Sequence, residues 1–126
     1  MTSPTKRISS AAATLLLVSL LFGCAADTHE RLAADNVATM KQLSATLERI
    51  TDEKSARKAK SSVASLAKKL ENIGDRDAKL PAATPDEAQA INSKYGQQTT
   101  ELEQKITNQI MRISVDPKLA GAVAGN

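Results

Sequence analysis

The strongest constraint on the fold is the recurrence of apolar residues every three or four positions along most of the chain. The first such series comprises Val37, Met40, Leu43, Leu47 and Ile50. Residues with this spacing fall on one face of an α-helix, whereas a half-buried strand would show apolar residues at every second position. Two further series of the same kind follow, so the sequence predicts three amphipathic helices.

The helices are predicted over about 28–51, 53–79 and 85–114. Each start has an N-cap candidate: Asp27, with Glu30 reaching back, for the first helix, and Asp52 for the second. The third start, Thr84 followed by Pro85, is the clearest, because proline is favoured at the first helical position. We expect the second helix to continue through its internal glycine. The middle of the third should be its weakest part, because Gly96 lies there and polar residues follow it.

Composition agrees with an all-α fold. Aromatic residues make up 2% of the chain, so the core must be built from aliphatic residues and alanine, while strong helix formers are abundant. The matched helix lengths and short loops predict an antiparallel, up-down-up three-helix bundle over 27–115. An extended helical hairpin that dimerises is the structural alternative. Residues 116–126 are expected to form a short helical turn and a flexible tail.

The first 23 residues have the organisation of a secretion signal. Lys6 and Arg7 give residues 1–10 a positive charge, and an uncharged apolar run covers 11–22. Twelve residues are too few to span a bilayer, which requires about 20. Residues 1–23 are therefore predicted to be a cleaved signal peptide.

The end of this run, Leu21-Phe22-Gly23-Cys24, resembles the lipobox of bacterial lipoproteins. The resemblance implies that diacylglycerol is attached to the Cys24 thiol and that a signal peptidase cleaves between Gly23 and Cys24. The new amino group is then often acylated as well, for example with palmitate. Residues 24–26 would form the lipidated cysteine and a short tether. Ala25 after the cysteine is compatible with an outer membrane, facing the periplasm, where the cell has one.

Charge gives little indication of a nucleic-acid partner. The chain has 17 basic and 14 acidic residues, but cleavage would remove Lys6 and Arg7 and leave 15 against 14. A nearly neutral mature chain has no global attraction for a polyanion. It also lacks the aromatic residues on which bases stack.

The second helix nevertheless has a basic face, defined by Lys54, Arg57, Lys58, Lys68 and Lys69. At 100° per residue these side chains fall within an arc of about 120°, opposite the apolar face. The simpler interpretation is a solvated outer surface, and the alternative is contact with an anionic surface. If the bundle stands upright on a lipid at Cys24, the start of this helix lies about 35–40 Å from the bilayer. If the bundle lies flat, the face can reach the head groups.

The sequence offers no recognisable catalytic set. His29 is the only histidine, and in a first helical turn we expect it to be an exposed polar residue. Cys24 is the only cysteine, which excludes an intrachain disulfide and a cysteine-based metal site. The acidic pairs at 52–53 and 86–87 are explained by capping and by the helix dipole. We therefore expect neither an enzyme nor a bound cofactor other than the lipid.

The mature part resembles small helical bacterial proteins without a described activity, through the segments ITDEKSARKA, TPDEAQAINSKY and RISVDPKLAG. This resemblance implies helical architecture and no particular site. We expect a membrane-anchored lipoprotein of the cell envelope that has a structural role or binds a helical protein partner or itself. The alternative is a periplasmic binding module whose basic face binds an anionic polymer or lipid head groups.

Overall fold

The computed structural model describes residues 26–124, and the segment containing Gly23 and Cys24 lies outside this range. The described residues form helices and no strand, which confirms the all-α prediction. In chain order the elements are α1 (His29–Glu48), α2 (Glu53–Ala78), α3 (Pro85–Ile91), a π-helical segment (Asn92–Gly96), α4 (Gln97–Ser114) and α5 (Pro117–Ala124). We call α3, the π segment and α4 together the third helical run.

Helix α1 lies at the centre of the bundle. It packs against α2 and against the third helical run, while α2 and α4 do not approach each other closely. Its predicted apolar face is buried, and Ile50, just after the helix, is completely inaccessible to solvent. Contacts from the start of α1 to the end of α2, and from the end of α4 to the end of α1, give the up-down-up arrangement. The core therefore forms around one helix that is covered on two sides.

Helix α2 contributes fewer buried residues to the core than α1 does. Only Ala56 and Ile73 on this helix are buried, and the other predicted apolar positions pack partly exposed against the core: Ala59, Val63, Leu66 and Leu70. The helix runs without a break through Gly74. Most residues of α2 are therefore exposed to solvent, and its polar face is available for other contacts.

Two of the three predicted helix caps are present. The Asp52 carboxylate accepts a hydrogen bond from the backbone N–H of Ser55, and the Ser55 hydroxyl oxygen accepts one from the Asp52 backbone N–H. Thr84 caps α3 by accepting from the Glu87 N–H. The prediction for α1 is wrong: its cap is Thr28, because the Asp27 carboxylate is bound to a side chain of α2 instead.

The third helical run is not the regular α-helix that the sequence predicted over 85–114. Residues 92–96 form a π-helical turn, and the α-helical pattern resumes at Gln97. A Cβ atom at Gly96 would collide with the side-chain amide of Asn92, so glycine permits the close approach within this turn. Gly96 was the sequence signal of a weak point, although not of a π turn.

The C-terminal segment contains the short helical element that the sequence predicted within 116–126. Residues 117–124 form a two-turn helix that packs against α2 and α4, with Leu119 buried and Ala122 and Val123 against the core. Helix α5 thus occupies the position of a fourth helix at one end of the bundle. At the other end, where α1 begins, the described residues place no helix between α2 and the third helical run.

We expect Ile50→Ala to reduce the free energy of unfolding by about 2–5 kcal/mol, because it leaves a cavity at a fully buried position. Ile110→Ala is the matched control: this side chain is 52% exposed, so its loss should cost less than about 1 kcal/mol. Urea unfolding followed by circular dichroism measures both. Equal effects of the two substitutions would contradict the described core.

Candidate functional site

The basic face lies on the exposed side of α2, and all five of its side chains are accessible to solvent. Arg57 forms an ion pair with Glu53 one turn earlier on the same helix. In residues 26–124 the four lysines of this face have no carboxylate within ion-pair distance. Within the described residues these four lysines are therefore free of ion pairs.

A polar groove runs along the basic face, between α1 and α2. We call it the hydroxyl groove; its volume is about 520 Å³, and it is lined by Gln42, Ala45, Thr46, Arg49, Ser61, Ser62, Ser65 and Leu66. No carboxylate lines it, whereas serine hydroxyls, an amide and a guanidinium can all donate hydrogen bonds. Lys58 and Lys69 lie one turn from its serines, at Ser61 and Ser65 respectively. Donors bordered by unneutralised cations form a surface suited to anionic oxygens.

Sequence reasoning found the lysines but not this groove. The available signal was the cluster of serines between two groups of lysines on α2. The opposite wall of the groove is formed by α1, through residues that include Arg49 and Gln42. Its position depends on the packing of α1 against α2, which local sequence patterns do not reveal.

The start of α1 is held to the end of α2 by a pair of charged contacts that we call the N-terminal clasp. In the first contact, Arg76 Nε donates to Asp27 Oδ2 at 2.9 Å and Arg76 Nη2 donates to Asp27 Oδ1 at 2.5 Å. Such two-point contacts fix orientation as well as distance. These hydrogen bonds lower the pKa of Asp27 and raise that of Arg76.

The second contact of the clasp involves both ring nitrogens of His29. Nδ1 lies 2.7 Å from Asp77 Oδ1, and Nε2 lies 2.6 Å from the Pro81 carbonyl oxygen. Both partners are acceptors, and only the protonated ring has a hydrogen on each nitrogen. The Pro81 carbonyl, followed by the Asp77 carboxylate, accordingly raises the pKa of His29. With a side chain only 18% exposed, His29 is a structural clamp rather than the exposed residue that the sequence predicted.

A third charged contact ties α1 to the third helical run. Lys94 Nζ donates to Glu30 Oε1 at 2.8 Å and lies 5.4 Å from the centre of the Tyr95 ring. The Glu30 carboxylate raises the pKa of Lys94. Both neighbours of α1 are thus fastened to its first turn.

Beside these contacts lies an N-terminal groove of about 580 Å³, open between α2 and the third helical run. Its floor is apolar, with Leu32 and Ile73 below and Tyr95 at the side, and the π turn forms part of its wall. The only histidine at its edge is already engaged through both nitrogens. The groove is therefore large enough to receive a ligand, but its lining residues do not form a recognisable catalytic group.

Other features of the described range add no reactive centre. No described helix is both long and apolar enough to cross a bilayer. Within residues 26–124, no group of three or more histidine, cysteine or acidic residues is placed to hold a metal ion. Cys24 and Gly23, the predicted lipidation and cleavage residues, lie outside the described range.

Comparison with known proteins gives no relative: no family model matches the chain, and no curated protein or solved structure matches it significantly.

We expect His29→Gln to lower the melting temperature most at acidic pH. The folded protein holds the His29 proton more tightly than the unfolded chain, whose pKa is about 6.5. The stabilisation is therefore complete below pH 6.5 and is lost as the pH rises through the raised folded pKa. Melting curves of both proteins from pH 5 to 8.5 measure the difference. A difference independent of pH would contradict a charged clamp, and Asp77→Asn, which removes the negative charge beside His29 Nδ1, should reduce the pH dependence.

Proposed function

We propose that this chain is a membrane-anchored bacterial lipoprotein of the cell envelope, with a structural or protein-binding role and no catalytic activity. The anchor rests on the lipobox at 21–24, where the positive segment, the apolar run and Cys24 occur in the order and spacing of a lipoprotein signal. The described fold is compatible with cleavage before Cys24, because its core cluster draws its members from Val37 to Val123. The mature protein would then begin three residues before Asp27.

The observation that favours a protein-binding role is an exposed apolar patch at the C-terminal end of α4 and at the residue that follows this helix. It consists of Ile110, Met111 and Val115, which are 52%, 60% and 81% exposed. Met111 and Val115 are four residues apart and lie on one side of the helix. Clustered exposed apolar side chains mark interaction sites more often than isolated ones do.

The position of this patch suits a partner that approaches from outside the membrane. Arg112, beside Met111, donates a hydrogen bond to the Leu47 carbonyl oxygen at the end of α1, at 3.0 Å. The start of α1, next to the tether, is 18 residues away from Leu47, or about 27 Å along the helix. The patch therefore lies at the end of the bundle remote from Cys24, where a helical partner or a second copy can reach it.

We propose the absence of catalysis because the titratable side chains that could act as acids or bases are engaged in structural contacts. The only histidine is used in the N-terminal clasp, and the acids Asp52 and Asp27 are engaged in a helix cap and an ion pair. Groups held in this way are not poised to exchange a proton with a substrate. The lipid on Cys24 would be the one covalent addition.

We expect Cys24→Ser to abolish incorporation of labelled palmitate and to release the protein from the membrane fraction, because the hydroxyl cannot take the thioether-linked lipid. Mass spectrometry of the membrane-associated wild-type protein should show a chain beginning at Cys24 with the mass of the acyl groups. Thr107→Ala, at an exposed position on α4, is a control for handling and expression. A Cys24→Ser protein that remains in the membrane with unchanged mass would refute the anchor.

We expect a photo-crosslinking amino acid at Met111 or Val115 to give a discrete adduct in living cells, whereas the same group at Lys105, an exposed position on α4, should not. Mass spectrometry of the adduct distinguishes a second copy of this chain from a different protein. Circular dichroism of each variant checks that the fold is kept. If neither patch position gives an adduct above the Lys105 level, the patch is not a contact surface.

A further inference from the structure

We propose that the bundle lies on its α1–α2 side, with the basic face and the hydroxyl groove against anionic phospholipid head groups of the membrane that holds Cys24. This inference rests on the proposed lipid at Cys24. It deepens the proposed function by assigning the basic face to the protein's own membrane, and it selects the flat pose over the upright one.

The carrying observation is where the chain leaves the fold. Asp27, three residues after Cys24, is bound through both carboxylate oxygens to Arg76 of α2. The chain just after the tether is therefore held at the last turn of α2, on the flank of that helix that carries Arg76. Three residues extend at most about 11 Å, so the lipid must enter the membrane close to Arg76.

Arg76 lies on the same side of α2 as the basic face. Lys58 precedes it by 18 residues, which is five full turns at 3.6 residues per turn. Lys69 precedes it by seven residues and differs by only about 20°. A line drawn along α2 from Arg76 thus passes by Lys69 and Lys58. Arg76, which binds Asp27 next to the lipidated residue, is itself one end of that line.

The surface beside this line is chemically suited to head groups. The hydroxyl groove is flanked by the line and supplies Ser61, Ser65 and Arg49, with no carboxylate among its lining residues. The charges of Lys58 and Lys69 are not paired with an acid in the part of the chain that the structure describes. A membrane phosphate would find a cation and hydrogen-bond donors together.

In the upright pose the basic residues along this line and the hydroxyl groove would not contact the membrane. That pose would hold the lysines near the start of α2 some 35 Å from the bilayer, several times the screening length of about 8 Å at physiological salt. In the flat pose the whole line from Arg76 to Lys58 lies within contact distance of the surface. The apolar patch stays accessible, since it belongs to α4, which is not in contact with α2.

Lysine footprinting of the full-length lipidated protein in vesicles tests the pose without a substitution. An amine-reactive reagent is applied in vesicles of phosphatidylcholine with phosphatidylglycerol and in vesicles of phosphatidylcholine alone, and peptides are quantified by mass spectrometry. We expect Lys58 and Lys69 to react several-fold more slowly in the anionic vesicles, and high salt to reverse the effect. Lys60, on α2 but outside the basic face, and Lys105 on α4 are internal controls and should react equally in both.

The contribution of the clasp is tested by Asp27→Asn. This change makes the bundle more positive, so a purely electrostatic attraction would increase the protection of Lys58 and Lys69. If the tether contact sets the pose, protection should fall instead. Lys58→Glu combined with Lys69→Glu should abolish the protection of Lys54 and Lys68, whereas Lys60→Glu combined with Lys105→Glu should not.

Three results would overturn the inference: the same change in reactivity for Lys58 as for Lys60 between the two kinds of vesicle, increased protection in Asp27→Asn, or protection that arises only when soluble polyphosphate is added. The last would assign the face to an anionic polymer instead of the membrane. The mass of the protein separates this failure from that of the proposed function. A chain that carries acyl groups but shows no protection refutes the pose alone, and a chain without acyl groups refutes the anchor.

Discussion

The burial of α1 on two sides is the constraint on which the rest of the structure depends. Its apolar face, from Val37 to Leu47, supplies the contacts that α2 and the third helical run share, and those two do not pack closely against each other. Because one helix has two neighbours that remain apart, the bundle has an opening between them. Helix α5 fills this opening at one end and leaves the N-terminal groove at the other.

The same helix determines how the folded part is connected to the chain before it. The first turn of α1 and the residues just before it form ion pairs with both neighbours, through Asp27, His29 and Glu30. Charged pairs at a surface contribute little individually, but a two-point contact such as Asp27–Arg76 fixes direction. The direction matters here because Cys24 is only three residues away. The contacts that fasten α1 thereby also set the side of the bundle from which a lipid would emerge.

On this arrangement the protein has two chemically different sides. The α1–α2 side carries unneutralised lysines and the hydroxyl groove, and α4 carries an exposed apolar patch at its far end. A lipid-anchored protein with these two sides can keep one against head groups while it offers the other to a partner. The proposed role as an envelope interaction protein combines both, and neither side requires chemistry at a reactive residue.

Local patterns in the sequence were sufficient for most of the secondary structure, although not for the π-helical turn at 92–96. The spacing of apolar residues located the helices, and Asp52 and Thr84 were recognised as caps because a cap bonds to its own neighbours. The basic face was also evident, since the position of a side chain around a helix depends only on its number. The failures have a common cause. Asp27 is a suitable local N-cap, but Arg76, 49 residues away, donates two hydrogen bonds to the same carboxylate. Asp27 therefore binds Arg76 and does not cap α1.

The difference between local and long-range contacts also explains the other features that the sequence did not predict. The acceptors of His29 lie 48 and 52 residues away, and the walls of the hydroxyl groove come from two helices. Helix α5 packs against α2 and α4, and its Leu119 is buried in the common core. None of these partners is adjacent in the chain, so no local pattern could indicate them. The sequence by itself determined the helices, their caps where these are local, and the basic face, and the resemblance of residues 21–24 to a lipobox is likewise a local property. Only the packing of the helices decided which charges are paired, which grooves exist and which helix holds Asp27, because these depend on residues that only folding brings together.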